Sequence, residues 1–178
     1  KPTKYRRVIA PGMNHLWDAD LLVLTGARFK NANDNFGYIL VTIDVFSRYC
    51  RAVQVKSKGG NDMKLAFTGI FDELGAEGLP KFIRTDHGTE FTNSIVGDLL
   101  KERQVKHILA NTETKANYAE AVIKGLKKRL FQYFQYNNSY SYINDLQDIV
   151  SSYNNTVHSS IGLSPAQVTE ENEQQVWD

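Results

Sequence analysis

The sequence has almost no cysteine, few histidines and no long apolar run, and each absence excludes a class of protein. Cys50 is the single cysteine, so an internal disulfide is impossible and the chain suits a reducing compartment such as the cytosol or nucleus. With only four scattered histidines, a structural zinc site is also unexpected. No apolar stretch approaches the roughly 20 residues that span a bilayer, and the basic residues at 1–10 precede no apolar segment. We therefore expect neither a membrane span nor a signal peptide.

Net charge is also nearly absent, at +1. Nucleic-acid binding depends on where basic residues cluster more than on their sum. Two basic clusters stand out in the sequence, namely Lys1, Lys4, Arg6 and Arg7, and then Lys124, Lys127, Lys128 and Arg129. A merely solvated surface is an equally good interpretation of such clusters.

Length and composition predict one globular domain. A chain of 178 residues has no room for a second full domain. Hydrophobic residues at 42% and charged residues at 23% are typical of a protein that folds by itself. We expect a basic N-terminal extension over 1–13 and one folded domain over 14–178.

The first half of the chain predicts an antiparallel meander. Residues 16–24 are mostly apolar but contain Asp18 and Asp20, a pattern typical of a central strand with carboxylates on one face. A turn is predicted at 31–35. Strands follow at 38–46 and 49–55, where β-branched and aromatic residues are frequent.

The second half alternates between helix and strand. Asn61 is a candidate N-cap for the first helix, and a strand at 81–85, a helix at 93–102 and a strand at 105–109 follow, an order that implies parallel pairing. Long helices are predicted at 118–136 and 141–153, and a last helix begins at Ser164, with Gln167 completing a capping box. The prediction is an α/β fold with a five-stranded mixed sheet, three antiparallel strands and then two parallel ones, flanked by helices.

Two aspartates lie where a catalytic site is expected. Asp20 interrupts an apolar strand, where an ionised carboxylate costs several kcal/mol unless it is paired, hydrogen-bonded or bound to metal. Asp86 directly follows the strand at 81–85, and the carboxyl ends of strands are where ligands bind in open α/β sheets. Gly88 is expected to permit an unusual backbone turn. An ordinary turn aspartate is the alternative interpretation of Asp86.

Glu120 lies in the long helix at 118–136. Projected at about 100° per residue, the apolar residues form one broad face, and Glu120, Lys124 and Lys127 share a narrow stripe beside it. An exposed Glu-to-Lys pair, worth roughly 0.2 to 0.5 kcal/mol, explains that stripe equally well. Taken together, however, three converging carboxylates repel one another unless a cation is present, and oxygen ligands favour Mg²⁺ or Mn²⁺.

Five sequence segments, in the same order, resemble the integrase core of retroviruses and retrotransposons. Their sequences look most similar to those of the integrases of Maverick (Polinton) elements and related animal retroelements. The segments are WDADL at 17–21, IDVFSRY at 43–49, TDHGTEF at 85–91, KANYAE at 115–120 and YNNTVHSSIGLSP at 153–165. The resemblance covers nearly the whole chain. The spacing of 33 residues between Asp86 and Glu120 is close to that of the family's acidic triad.

The resemblance implies a ribonuclease H-like fold and a polynucleotidyl transferase, with associated endonuclease activity, that processes DNA 3′-ends and joins them to target DNA. It implies that Asp20, Asp86 and Glu120 are catalytic and hold two Mg²⁺ or Mn²⁺ ions. DNA contacts are expected at Lys115, Asn117, Lys124, Lys127 and Lys128. Relatives act in the nucleus, sometimes after a cytoplasmic phase, as homo-oligomers with flanking zinc-binding and chromatin-binding domains.

Three other residues resemble site residues, but structural roles are expected for them. The family motif places the metal ligand at Asp20, so Asp18 is set aside. Asp44 is expected to hydrogen-bond the turn at Ser47, and His158 to pack or link helices.

The chain also departs from the family after Glu120, where Ala121 and Gly125 replace polar and basic residues of many relatives. Gly125 costs a helix about 1 kcal/mol relative to alanine. This departure motivates the main alternative, a domesticated integrase fold that binds DNA or assembles proteins without catalysis. A nuclease that cuts RNA in hybrids is a third, less favoured function.

Overall fold

A computed structural model describes residues 10–110 and 117–177, with the side chains of Asn117 and Trp177 excepted. Its centre is a five-stranded sheet in the order β3-β2-β1-β4-β5. The strands are β1 (Leu16–Val23), β2 (Tyr38–Asp44), β3 (Cys50–Val55), β4 (Phe82–Thr85) and β5 (Lys106–Leu109). β1, β2 and β3 pair antiparallel, whereas β4 pairs parallel with both β1 and β5. The predicted mixed sheet is therefore confirmed.

Seven α-helices and three short 3₁₀ turns surround the sheet within the described ranges. The helices are α1 (Ala27–Ala32), α2 (Gly60–Leu74), α3 (Thr89–Thr92), α4 (Ser94–Glu102), α5 (Asn117–Asn137), α6 (Leu146–Asn154) and α7 (Glu173–Trp177). The 3₁₀ turns are Ala76–Gly78, Pro165–Gln167 and Glu170–Asn172. No helix of this part of the chain is long and apolar enough to cross a membrane.

The two faces of the sheet carry different helices because side chains of a strand alternate between faces. Trp17, Ala19 and Leu21 of β1 pack in one apolar cluster with α2, α3 and α4. Leu22 lies on the other face, in a cluster with α5 and α6. By the same alternation Asp18 and Asp20 project toward α5.

The projection of α5 is confirmed. Five of the predicted apolar residues are buried against the sheet, and two are half-buried at the edge of the same cluster: Ala119, Val122, Leu126, Leu130 and Phe134, then Ile123 and Tyr133. Burial of this face fixes α5 over β1 and β2.

Asn33 explains why α6 starts later than predicted. The predicted turn is present at 33–35, although α1, which the sequence did not predict, precedes it and ends at Ala32, and α6 begins at Leu146 rather than at 141. The buried Asn33 side chain donates to the carbonyls of Phe29 at 2.7 Å and Tyr140 at 2.8 Å, and it accepts from the amides of Tyr142 at 2.6 Å and Ile143 at 3.2 Å. These bonds hold residues 140–143 outside a helix.

Two helix starts also differ from the sequence prediction. Gly59, not Asn61, is the N-cap of α2. Ser164 and Gln167 form the predicted capping box, but it opens only a 3₁₀ turn, and α7 begins later at Glu173. A capping box satisfies the first amides of either kind of helix, so it does not specify the length that follows.

Candidate active site

Asp20 lies half-buried in β1, in parallel register with β4. Asp18 of β1 lies opposite Arg84 of β4 in the strand register. Continuing that register by two residues places Asp20 level with Asp86. Burial raises the pKa of Asp20 above its ordinary value, and the charges of Asp86 and Glu90 raise it further. The Leu21 amide, which donates to Asp20 Oδ1 at 2.7 Å, opposes that rise. The structure thus brings Asp20 and Asp86 close enough to repel each other.

Asp86 follows β4 at the carboxyl end of the parallel pair and is exposed. The Gly88 amide donates to Asp86 Oδ1 at 2.9 Å, which closes a small turn. Thr85 is fixed from both sides, since its hydroxyl donates to the Asp86 carbonyl at 2.8 Å and contacts His107 Nε2 at 2.8 Å. Asp86 therefore shapes the turn and also presents a carboxylate to solvent.

Gly88 has a different role from the one expected. Its φ of −59° and ψ of 139° are available to any residue, so no unusual backbone turn is present. Instead, a Cβ at this position would lie 2.7 Å from Glu90 Oε2 and 2.9 Å from Asp86 Oδ1. A larger residue here would therefore force the carboxylates of Asp86 and Glu90 to shift.

Glu90 and Lys58 extend the site beyond the residues predicted from sequence. Glu90 is buried, and its Oε1 accepts a bond of 2.7 Å from Lys58 Nζ. Burial alone would raise the pKa of Glu90, but the bond from Lys58 brings it below its ordinary value. Lys58 also interacts with the charges of Asp20 and Asp86. It therefore places one positive charge beside three carboxylates.

Glu120 does not join this cluster. It lies in the first turn of α5 with its side chain 54% exposed, and its Oε1 is 3.1 Å from Lys124 Nζ. Within 10–110 and 117–177, no three His, Cys, Asp or Glu side chains lie close enough together to hold one metal ion. The structure brings together Asp20 and Asp86, and it shows Glu120 in the exposed Glu-to-Lys pair that the sequence left as an alternative.

The predicted DNA contacts are only partly described. Lys124, Lys127 and Lys128 are exposed on α5. Lys115 lies outside the described residues. Asn117 begins α5, but its side chain is likewise not among those described. The exposed lysines supply a basic surface next to Glu120.

Asp18 forms an ion pair with Arg84, which agrees with its exclusion from the predicted metal ligands. It is fully buried, and Arg84 donates to both of its oxygens, from Nε at 2.8 Å and from Nη2 at 2.9 Å. The amides of Tyr118 and Ala119 also donate to this carboxylate. Burial raises the pKa of Asp18, and these partners oppose the rise.

Asp44 and His158 have the structural roles that were predicted. Asp44 Oδ2 accepts from the Ser47 hydroxyl at 2.6 Å and from the Ser47 amide at 3.2 Å. This bonding closes the turn between β2 and β3. The His158 ring packs edge-on against Tyr153 with centroids 4.9 Å apart.

Solved structures share this fold. The HTLV-2 integrase catalytic core domain in complex with magnesium superimposes with a TM-score of 0.73 at 18% identity, over 90% of this chain and 99% of that one. A chain of the simian T-cell lymphotropic virus intasome, in complex with PP2A regulatory subunit B56 gamma, gives 0.75 at 21% identity, over 91% of this chain and 55% of that one. At such identities the likeness shows the fold, which is ribonuclease H-like.

Sequence comparison adds the family. A putative uncharacterized transposon-derived protein of Caenorhabditis elegans is 34% identical over 142 residues, which are 80% of this chain and 49% of that protein. The chain thus spans about half the length of this curated relative. Residues 10–115, well over half of the chain, match the family described as Integrase core domain. The chain belongs to the integrase core family.

Proposed function

We propose that this domain is the catalytic core of an integrase or transposase that trims DNA ends and joins their 3′-hydroxyls to target DNA. One observation carries the proposal. Within an integrase core, Asp20 of β1 and Asp86 after β4 belong to adjacent parallel strands, and the charge of Asp86 raises the pKa of Asp20. A bound cation would relieve the repulsion between two such carboxylates, and groups with perturbed pKa values are frequent at functional sites.

The donor chemistry of Asp20 and Asp86 fits Mg²⁺ or Mn²⁺. Both offer carboxylate oxygens, which these hard ions prefer over nitrogen or sulfur. We propose that these two residues and Glu120 hold two such ions, which when bound would activate the attacking hydroxyl and stabilise the leaving oxygen. The neighbouring Lys58 is paired with Glu90 and partly offsets the repulsion that Glu90 and Asp86 exert on Asp20.

Glu120 would have to leave Lys124 to serve this site. An exposed ion pair of this kind is worth only about 0.2 to 1 kcal/mol, and the glutamate side chain is more than half exposed, so leaving Lys124 costs little. Its release would also free Lys124 for a DNA phosphate. We propose that Lys124, Lys127 and Lys128, together with Lys115 and Asn117, contact the DNA backbone.

The setting of the reaction extends the same proposal. The solved HTLV-2 core is described in trimeric and dimeric forms, and the simian protein in an intasome. By analogy we propose a homo-oligomer acting on element ends and target DNA in the nucleus. We also propose that the full protein carries a zinc-binding and a chromatin-binding domain on either side of this core.

A second function is favoured by the pairing of Glu120 with Lys124. A domesticated integrase fold that binds DNA or assembles proteins needs no third metal ligand. It would bind DNA through α5 yet keep its biological function in an Asp86→Asn variant. Calorimetric titration with Mn²⁺ separates the two functions, since a non-catalytic scaffold need not bind the ion.

The direct test is strand transfer on oligonucleotides by the protein with its flanking regions restored. We expect Mg²⁺- or Mn²⁺-dependent joining that Glu120→Gln abolishes. Glu102→Gln removes the charge of an exposed glutamate on α4 and is the matched control that should stay active. A protein that binds Mg²⁺ but neither nicks nor joins DNA would contradict the proposed catalysis.

A further inference from the structure

The buried Asp18 carboxylate joins three elements of the fold. It lies in β1 and accepts both bonds of a bidentate pair from Arg84 in β4. It also accepts the backbone amides of Tyr118 and Ala119 in the first turn of α5. The first amides of a helix have no partner within the helix, and a negative charge there is favoured by the helix dipole.

In each of the three elements, the residue that takes part in this bonding lies within two positions of a proposed catalytic acid. Asp18 precedes Asp20 by two residues on the same face of β1, and Arg84 precedes Asp86 by two residues at the end of β4. The Ala119 amide immediately precedes Glu120. The ion pair therefore fixes, at one point, the backbone segments that carry all three acids.

Stability alone is a weak reason for such a pair. Arg84 is 4% exposed and Asp18 is fully buried, and two buried charges lose most of their hydration. Apolar side chains of similar volume usually stabilise a fold as well as a buried ion pair does. An ion pair differs from apolar packing in that its directional bonds define one relative position of the groups it joins.

We propose that Asp18 and Arg84 are positioning residues that anchor the start of α5 and thereby set Glu120 relative to Asp20 and Asp86. The anchoring is independent of metal, whereas its catalytic consequence rests on the proposed function. Neither residue contacts the reacting groups. The pair acts through the backbone of α5.

Amide hydrogen exchange tests the anchoring without any requirement for activity. In the metal-free wild-type protein, the Tyr118 and Ala119 amides should exchange as slowly as amides inside α5, although they belong to its first turn. Exchange as fast as that of unbonded amides would overturn the proposal. This measurement needs no variant, so a folding failure cannot obscure it.

The double variant Asp18→Leu with Arg84→Met removes the pair without leaving a buried charge. We expect exchange at 118–120 to accelerate by roughly tenfold or more, the change expected when one hydrogen bond is lost, while β2 keeps its protection. The exposed pair of Asp72 and Arg103, with 2.6 Å between its atoms, receives the same two substitutions as the matched control. Equal exchange at 118–120 in the two double variants would overturn the anchoring.

Kinetics then test the positioning. In the active protein, kcat for strand transfer should fall by about 100-fold, because misplacing a catalytic group by about 1 Å costs that order, while KM for DNA stays within about twofold. Faster exchange with an unchanged kcat would overturn the positioning role. A wild-type protein without strand transfer would contradict the proposed function instead, and the exchange results would still decide the anchoring.

Discussion

Substituting Gly88 by alanine tests the proposed metal site through its packing. A Cβ at this position would lie 2.7 Å from Glu90 Oε2 and 2.9 Å from Asp86 Oδ1, closer than real Cβ contacts allow, so both carboxylates must move. Alanine suits the backbone angles at this position, and that alone would stabilise the fold by about 0.4 to 1 kcal/mol. Moving Asp86 weakens its bond to the Gly88 amide, worth about 0.5 to 1.5 kcal/mol. Displacing the buried Glu90 disturbs its bond to Lys58 as well.

We therefore expect Gly88→Ala to destabilise the fold by about 1 kcal/mol, and to weaken Mn²⁺ binding by about 10- to 100-fold, as loss of ligand-orienting contacts does. Gly97→Ala is the matched control. Gly97 lies inside α4 with nothing within 4 Å of its Cβ position, so this variant should gain up to about 1 kcal/mol. Urea denaturation and calorimetric Mn²⁺ titration measure both quantities. Equal stability gains in the two variants, with Mn²⁺ affinity unchanged in both, would refute the reasoning.

Three other perturbations have expected outcomes. Asn33→Ala removes four hydrogen bonds, two of them buried and two part-buried, and should cost about 3 kcal/mol or more in urea denaturation; a loss below about 1 kcal/mol would contradict the role of Asn33. Burial and neighbouring carboxylates raise the pKa of Asp20, so its charge opposes folding at neutral pH. Asp20→Asn should therefore raise the free energy of unfolding at pH 7 without metal, and the gain should shrink as pH falls toward the unfolded-state pKa of about 4 and vanish below about pH 3, where the wild-type carboxyl is protonated in both states. Lys58→Met leaves the Glu90 carboxylate unpaired and should cost about 1 to 3 kcal/mol at pH 7. Because Lys58 brings the pKa of Glu90 below its ordinary value, that loss should fade as pH falls through about 4, and a loss independent of pH would argue against the pair.

Local patterns made the sheet and α5 predictable. Side-chain alternation marks β1 even with two aspartates in it, and the helical spacing of Ala119, Val122 and Leu126 identifies the face of α5 that packs on the sheet. Asp44 was assigned correctly because its partner, Ser47, lies three residues away. Contacts within one helix, strand or turn join residues that are near in sequence, so a local sequence pattern is enough to predict them.

Long-range polar contacts were not predictable in the same way. Lys58 and Glu90 are separated by 32 positions, and Asn33 bonds to residues more than 100 positions away. Neither Lys58 nor Asn33 differs in local pattern from an ordinary loop residue. The TDHGTEF segment contained Glu90, but only the fold shows that its carboxylate closes around Gly88.

Asp20 and Asp86 were predicted from strand context and motif register, and the fold brings them together. The role of Glu120 stays a prediction, because its helix position follows from sequence while its side chain is paired with Lys124. A surface side chain has several rotamers of similar energy. Sequence therefore specifies which backbone carries Glu120, but it does not specify which partner the carboxylate takes.

The most direct test of the proposed catalytic site is a crystal structure of the domain soaked in Mn²⁺, with the ions located by anomalous scattering. We predict manganese bound by Asp20 and Asp86, with Glu120 turned away from Lys124 to join them. Manganese absent from these two aspartates, with Glu120 still paired to Lys124, would contradict the proposed two-metal site.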